Sequence, residues 1–311
     1  MLHCGSSRYR SSIPWLNVNW LLEADELTPV PSPRFHFPCD SSIFFWHFNS
    51  RSECETQLDP AAVVDQSLDI SGLHLGIVCP MANEEETAIG FVKEVLDQCA
   101  SRAFKTVTFF AVLDCVSKDN TLALLRQLAK EHPTVRIVWA PENRSVVDAY
   151  IRGYQEALAS GCDWILEIDA GYSHQPSDIP QFFERMLEGY ACVFGSRFCE
   201  GGRIVEGTVK RHFVSRAGTV LSNIVLGTKL KDMTSGFELF SRPVLQKVLA
   251  RGIRSRGPFF QTEIRTYCKN LRAVEVPILY RAPSHDLNNS SLKDAFINLW
   301  RLFGLRVSGR L

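Results

Sequence analysis

From Leu73 onward, short apolar runs alternate with longer segments whose apolar positions recur at helical spacing. "LHLGIVCPM" has the continuous apolarity of a buried strand, and "EEETAIGFVKEVLDQCAS" follows it as an amphipathic helix. The pairing repeats: strand "TVTFFAVLD", helix "TLALLRQLAKEH", strand "TVRIVWAP", helix "VVDAYIRGYQEALASG", strand "WILEIDA". Helix "IPQFFERMLEGY", strand "ACVFGSRF", a Gly-rich loop "CEGGRIVEGTVK" and helix "HFVSRAGTVLSNIVLG" continue the series. "MTSGFELFSR", "PVLQKVLARG", "FFQTEIRTYCKN" and "RAVEVPILYRAP" complete it. Apolar strands separated by helices predict an α/β fold, a mainly parallel sheet with helices on both faces.

Residues 1–72 lack this order. Aromatic patches ("IPWLNVNWLL", "SSIFFWHFNS") are broken by "TPVPSPRFHFP", which predicts a poorly ordered or accessory extension. The main domain is expected over 73–284 and a C-terminal amphipathic helix over 285–311. In that last segment Leu292, Ala295, Phe296, Leu299, Trp300, Leu302 and Phe303 fall at helical spacing. Lys293, Arg301, Arg306 and Arg310 stand against the single acid Asp294, a composition that suits an anionic membrane interface or a helix packed on the main domain.

Composition narrows the setting. Lys+Arg 34 against Asp+Glu 34 gives no net charge and no global signature of nucleic-acid binding. The 10 cysteines form no C-x-x-C pair and mostly sit in apolar runs, as expected of reduced thiols rather than a zinc site or disulfide framework. The opening "MLHCGSSRYR" has no signal-peptide core, and no run approaches the roughly 18 apolar residues of a membrane span. A cytoplasmic chain, at most peripheral on a membrane, is expected.

Candidate chemistry gathers at strand ends, where open parallel sheets bind ligands. Glu84, Asp114 and Asp169 all follow predicted strands. In "PMANEEE", Asn83 reads as a helix N-cap with Glu85 and Glu86 in the first turn, or Glu84 and the backbone near Pro80 meet a nucleobase or ribose. Asp114 ends a buried strand, where a carboxylate needs donors, and reads as a base or ribose acceptor. Asp119 is a cap or a ligand. No G-x-G-x-x-G follows the first strand, against a Rossmann oxidoreductase.

In order, these blocks resemble a family 2 glycosyltransferase of the dolichyl-phosphate mannose synthase and polyprenyl-phosphate glycosyltransferase branch. "VCPMANEEE" is similar to that family's P-x-Y-N-E, with Ala82 in the aromatic place, and "LDCVSKDNT" to D-D-G-S-x-D-G-T, with Cys115 for the second acid. "IDAGYSHQP" parallels D-A-D-x-S-H-x-P, and "FGSRF" parallels G-[ST]-R-[YF]. "KRHFVSRAGTVLSNIVLG", "DMTSGFELFSR", "FFQTEI" and "EVPILYR" extend the resemblance over about residues 74–282.

The resemblance implies a GT-A fold and inverting transfer of a sugar from a nucleoside diphosphate sugar to a polyprenyl phosphate at a membrane surface. It assigns nucleotide-sugar contacts to Pro80, Asn83, Glu84, Asp114 and Asp169, with Asp169 also the Mg or Mn ligand. Arg197, Arg211 and Arg216 become the cations for diphosphate and acceptor phosphate. Asp232 would be the base if the acceptor were a hydroxyl, or else a loop carboxylate bonding backbone amides. A saccharide acceptor, and a silent nucleotide-sugar-binding protein, are the rival readings. Glu238 stands where relatives often have arginine, and Ser291 and Lys293 only loosely echo a terminal G-x-S-K.

One departure bears on the metal. Gly171 takes the place of the second acid in "IDAGYS", removing a hard oxygen ligand. Glu167 lies two residues before Asp169, on the same strand face, and could supply a second carboxylate or pair with a core cation. His174 is a ligand or an ordinary hydrogen-bonding loop histidine. Weak metal binding through Asp169, diphosphate oxygens and water is the expectation.

Overall fold

A computed structural model of the chain describes residues 69–205, 209–281 and 289–311, with the backbone alone at 209–211 and 289. The expected extension therefore falls almost wholly outside the described residues. The first half runs β1 (His74–Pro80), α1 (Ala88–Ala100), β2 (Thr106–Leu113), α2 (Thr121–Glu131), β3 (Val135–Trp139), α3 (Val146–Ala159) and β4 (Trp164–Glu167). The second half runs α4 (Ile179–Leu187), β5 (Cys192–Ser196), β6 (Arg203–Val205), α5 (Val209–Leu226), β7 (Glu238–Ser241), α6 (Arg242–Arg251), α7 (Phe259–Tyr267), β8 (Ala273–Pro277), β9 (Leu279–Arg281) and α8 (Asn289–Val307).

Seven strands form one sheet in the order β3-β2-β1-β4-β7-β5-β8, parallel except for β7, which runs against both neighbours. Alternation along β1 sends Leu75 and Ile77 to one face, with α1, α2 and α4. Val78 goes to the other face, with α3, α6 and α7. Phe182 stacks on Phe237 at 4.3 Å between centroids, and each such fully buried aromatic contributes about 1.5–3 kcal/mol over leaving it exposed. The Gly-rich loop holds a strand the pattern does not show: β6 pairs with β9 in a small second sheet.

Two local features set the geometry of the strand ends. A Cβ on Gly153 would lie 2.3 Å from Val78 Cγ1 and 3.0 Å from Val112 Cγ2, so glycine lets α3 approach the sheet closely. That approach carries Tyr150 and Tyr154 to the carboxyl end of β4. α1 begins at Ala88, not at the acidic run, because Asn83 takes a left-handed φ of 59° and residues 84–87 form a turn. Asn83 is therefore no N-cap. Its amide spans to the loop after β2, giving a hydrogen bond to Val116 O (3.3 Å) and accepting one from Lys118 N (2.8 Å).

The C-terminal helix packs on the main domain, one of its two expected descriptions. Leu299 and Leu302 pack with Leu226 and Phe259, anchoring α8 on α5 and α7. Arg301 bonds Glu263, and Arg306 donates to the carbonyls of Ile224 (3.0 Å) and Val225 (2.7 Å), closing the end of α5. Phe296, Ile297 and Trp300 remain exposed.

Candidate active site

Pro80, Glu84, Asp114 and Asp169 lie at or just after the carboxyl ends of β1, β2 and β4, which are neighbours in the sheet. Asp114 is buried and accepts from Val116 N at 2.8 Å, which stiffens the loop behind it. Asp119 is occupied structurally: it accepts from Thr121 N (3.1 Å), Thr121 Oγ1 (2.7 Å) and Glu85 N (3.0 Å). Cys115 is exposed at the tip of the same loop. Glu84 is half-buried and accepts from Thr87 Oγ1 at 2.6 Å, while its amide donates to Thr121 Oγ1 at 2.7 Å. Burial raises its carboxyl pKa against that hydrogen bond, and the charge of Asp119 adds to the rise.

Asp169 and Glu167 share a face, and α3 reads that spacing. The Tyr150 hydroxyl donates to Asp169 and the Tyr154 hydroxyl to Glu167. Four residues of helix rise about 6 Å and two of strand about 6.6 Å, so tyrosines at i and i+4 match carboxylates at i and i+2. Burial first, then the neighbouring carboxylates, pushes both phenol pKa values well up, so both remain donors.

The two carboxylates have different fates. Asp169 keeps a 40% exposed side chain facing the cavity. Glu167 is fully buried, lies directly opposite Glu238 across the β4–β7 ladder, and is bonded by Tyr154 and Gln261. Its partner is thus a phenol and an amide rather than a cation, and it is no metal ligand. Burial and the adjacent Glu238 push its pKa well above the carboxylate range. His174 is buried with its pKa lowered to about 4 by burial, and Asp169 N donates to its Nδ1 at 3.4 Å. It is a neutral loop support, its ring packed between Phe237 and Tyr280 (5.2 Å each).

Arg197 and Asp232 form a buried fork. Arg197 Nε and Nη2 donate to Asp232 Oδ2 (2.7 Å) and Oδ1 (2.8 Å), and the Arg197 amide adds a bond at 3.1 Å. Thr234 N also donates to Oδ1 at 3.0 Å. Despite burial, the Arg197 guanidinium holds the Asp232 carboxyl far below its usual range. Asp232 thus bonds the Arg197 guanidinium as well as the backbone amides expected of a loop carboxylate, and it holds Arg197 in place. The guanidinium lies 5.2 Å from the ring centres of both Phe198 and Tyr280, with Arg216 on Phe198 at 5.6 Å. The Arg211 side chain lies outside the described residues.

Arg265 is the residue the sequence reading missed. It is fully buried, pairs with Glu238 at 2.5 Å, and donates to the carbonyls of Asp232, Gly195 (3.2 Å) and Ser235 (3.0 Å). One side chain thus binds the whole "DMTSGFE" loop to the end of β5. The signal was present: a glutamate inside the apolar run "GFELF" needs a buried cation, and "FFQTEIRTYC" supplies one.

Two cavities meet at Arg197. One, of 470 Å³, runs from Asp169 and Tyr150 past Thr234, Ser235 and Gln261 to Leu292 and Phe296 of α8, with Ser291 also in its wall. The other, of 760 Å³, follows the apolar side of α5 through Phe213, Val220, Leu221 and Ile224, with Arg216 beside it. Arg197 therefore stands where the apolar trough along α5 meets the cavity that holds Asp169.

Fold and site define a GT-A glycosyltransferase, and the chain belongs to the Glycosyl transferase family 2, which it matches over residues 76–249. Among known proteins it is 33% identical over 171 residues to the undecaprenyl-phosphate mannosyltransferase of Micrococcus luteus, covering 54% of this chain and 70% of that one. It is 28% identical over 238 residues to the polyprenol monophosphomannose synthase of Mycolicibacterium smegmatis, covering 76% and 88%. Among solved structures, glucosyl-3-phosphoglycerate synthase from Mycobacterium tuberculosis, in complex with Mn2+, UDP and phosphoglyceric acid, shares the fold with a TM-score of 0.54. That likeness holds at 19% identity and covers 75% of this chain and 80% of that one.

Proposed function

We propose that this glycosyltransferase moves a sugar from a nucleoside diphosphate sugar to a polyprenyl phosphate at a membrane surface, with inversion at the anomeric carbon. The observation that carries the reading is the apolar trough headed by Arg197. A lipid phosphate has the matching chemistry: an anionic head for the guanidinium and a hydrocarbon tail for α5 and α8. Two relatives are named for polyprenyl-phosphate substrates and mannose, which makes a mannosyl donor the first to test.

In this account Pro80, Asn83, Glu84 and Asp114 form the nucleotide edge, while Arg197 and Arg216 hold the acceptor phosphate. An oxygen of that phosphate attacks the anomeric carbon, the bond to the diphosphate oxygen breaks, and the nucleoside diphosphate leaves with the electron pair. The phosphate is already anionic near neutral pH, so no side chain need remove a proton, in keeping with the bound state of Asp232. Positioning and charge stabilisation do the rest. Asp169, exposed to the cavity, is the residue that would hold a divalent cation. Such an ion, when bound, neutralises charge on the leaving diphosphate.

No helix among the described residues is long and apolar enough to cross a membrane. The exposed Phe213, Val220 and Ile224 on α5 and Phe296, Ile297 and Trp300 on α8 support attachment by lying on the surface. A panel of GDP- and UDP-sugars assayed with polyprenyl phosphate tests the proposal. Labelled sugar in the lipid fraction supports it, and no transfer from any donor rejects it.

A further inference from the structure

Two buried polar atoms on residues in the wall of the 470 Å³ cavity have no partner among the described residues: Ser235 Oγ and Gln261 Oε1. Ser235 is only 2% exposed and Gln261 4%. Buried polar atoms are nearly always bonded, so two orphans in one cavity wall mark a place where a ligand completes the bonding. We propose that Ser235 and Gln261 bind hydroxyl groups of the donor sugar and so select which hexose is transferred. This inference rests on the nucleotide-sugar reading above and names the groups that read the sugar.

Three consecutive residues span from the guanidinium to the carboxylate. Arg197 Nη2 donates to Thr234 Oγ1 at 2.6 Å. A Cβ built on Gly236 would lie 3.3 Å from Asp169 Oδ2 and 3.1 Å from Gln261 Nε2, and Ser235 sits between Thr234 and Gly236. In an inverting transfer the sugar lies between the leaving diphosphate and the attacking phosphate. With the diphosphate on the Asp169 side and the acceptor on Arg197, that is the span these residues line. Both groups are fixed for the task. Gln261 Nε2 donates to Glu167, which Tyr154 also bonds, and the neighbouring Thr262 Oγ1 donates to Met233 O at 2.8 Å. The Ser235 carbonyl is held by Arg265 Nη2 at 3.0 Å. Chemistry narrows the ligand: an amide oxygen only accepts, so it cannot bond the oxygens of an ionised phosphate, and a hydrocarbon tail offers it nothing. A sugar hydroxyl can donate to Gln261 Oε1, and can either donate to or accept from a serine hydroxyl.

Equilibrium binding of GDP-mannose, GDP-glucose, UDP-glucose and UDP-galactose to the full chain, beside bare GDP and UDP, tests this without an acceptor. Ser235→Ala removes a hydroxyl that the fold leaves unbonded, so its melting temperature is expected not to fall. The best-bound sugar nucleotide is expected to weaken about tenfold or more, with the bare nucleotide unchanged and the preference between epimers reduced. Gln261→Met, which also strips a bond from Glu167, is expected to act the same way on the donor. If it does not fold, Ser235→Ala decides alone. Wild-type donor affinity and epimer preference in Ser235→Ala overturn the inference, as does equal weakening of donor and bare nucleotide. Sugar-selective weakening in Ser235→Ala, in a chain that does not glycosylate polyprenyl phosphate, upholds this inference and rejects the lipid acceptor. A wild-type chain that binds none of these ligands overturns both.

Discussion

Asp232 aims Arg197: two guanidinium nitrogens and one backbone amide converge on a carboxylate with no exposed surface. Removing its charge leaves a buried guanidinium without a counterion, which costs about 3–5 kcal/mol. Asp232→Asn is expected to lower stability by that order and to cut transfer by weakening use of the lipid phosphate. Arg197→Lys keeps the charge but loses the planar fork, with a fall in kcat/KM on the order of tenfold to a hundredfold. Urea unfolding alongside acceptor-dependent kinetics checks both, and a stable, fully active Asp232→Asn would contradict the role.

Arg265 and Glu238 hold the "DMTSGFE" loop to the end of β5. Arg265→Met orphans Glu238 and the carbonyls of Asp232, Gly195 and Ser235, and should destabilise the chain by about 3–5 kcal/mol. Replacing the pair together, with Glu238→Leu added, should recover part of that loss, because an apolar pair does not leave a buried charge. A double-mutant cycle of unfolding free energies measures the difference.

His174 makes the fold sensitive to acid. Its folded pKa of about 4 lies below the usual 6.5, so the unfolded chain binds more protons between those values and stability falls as pH drops from 6.5 to 4. The loss amounts to about 3 kcal/mol by the lower limit. His174→Gln should flatten this slope while lowering stability at neutral pH, which melts at several pH values would show.

Ile224 and Trp300 are exposed apolar side chains on α5 and α8. Changing both to serine should reduce co-sedimentation with anionic vesicles several-fold while leaving unfolding free energy within about 0.5 kcal/mol. Undiminished vesicle binding would remove these helices from the membrane contact.

The sheet was legible because each strand was a continuous apolar run and each helix kept its period. β6 was not, since three residues among glycines carry no periodicity. The start of α1 was misplaced because acids after an asparagine look like a cap, whereas Asn83 spends its amide on the neighbouring loop. Asp114, Asp169 and Arg197 could be chosen by motif. The work of Tyr150 could not, because it depends on a contact between elements far apart in the chain.

The trough below Arg197 is proposed to take a lipid phosphate. The most direct measurement offers the enzyme and its labelled sugar donor three rival acceptors: polyprenyl phosphate, the same polyprenol without phosphate, and a free oligosaccharide. Labelled product is expected with polyprenyl phosphate alone, reduced strongly by Arg197→Lys. Transfer to the oligosaccharide or the bare alcohol, with polyprenyl phosphate inert, would contradict it.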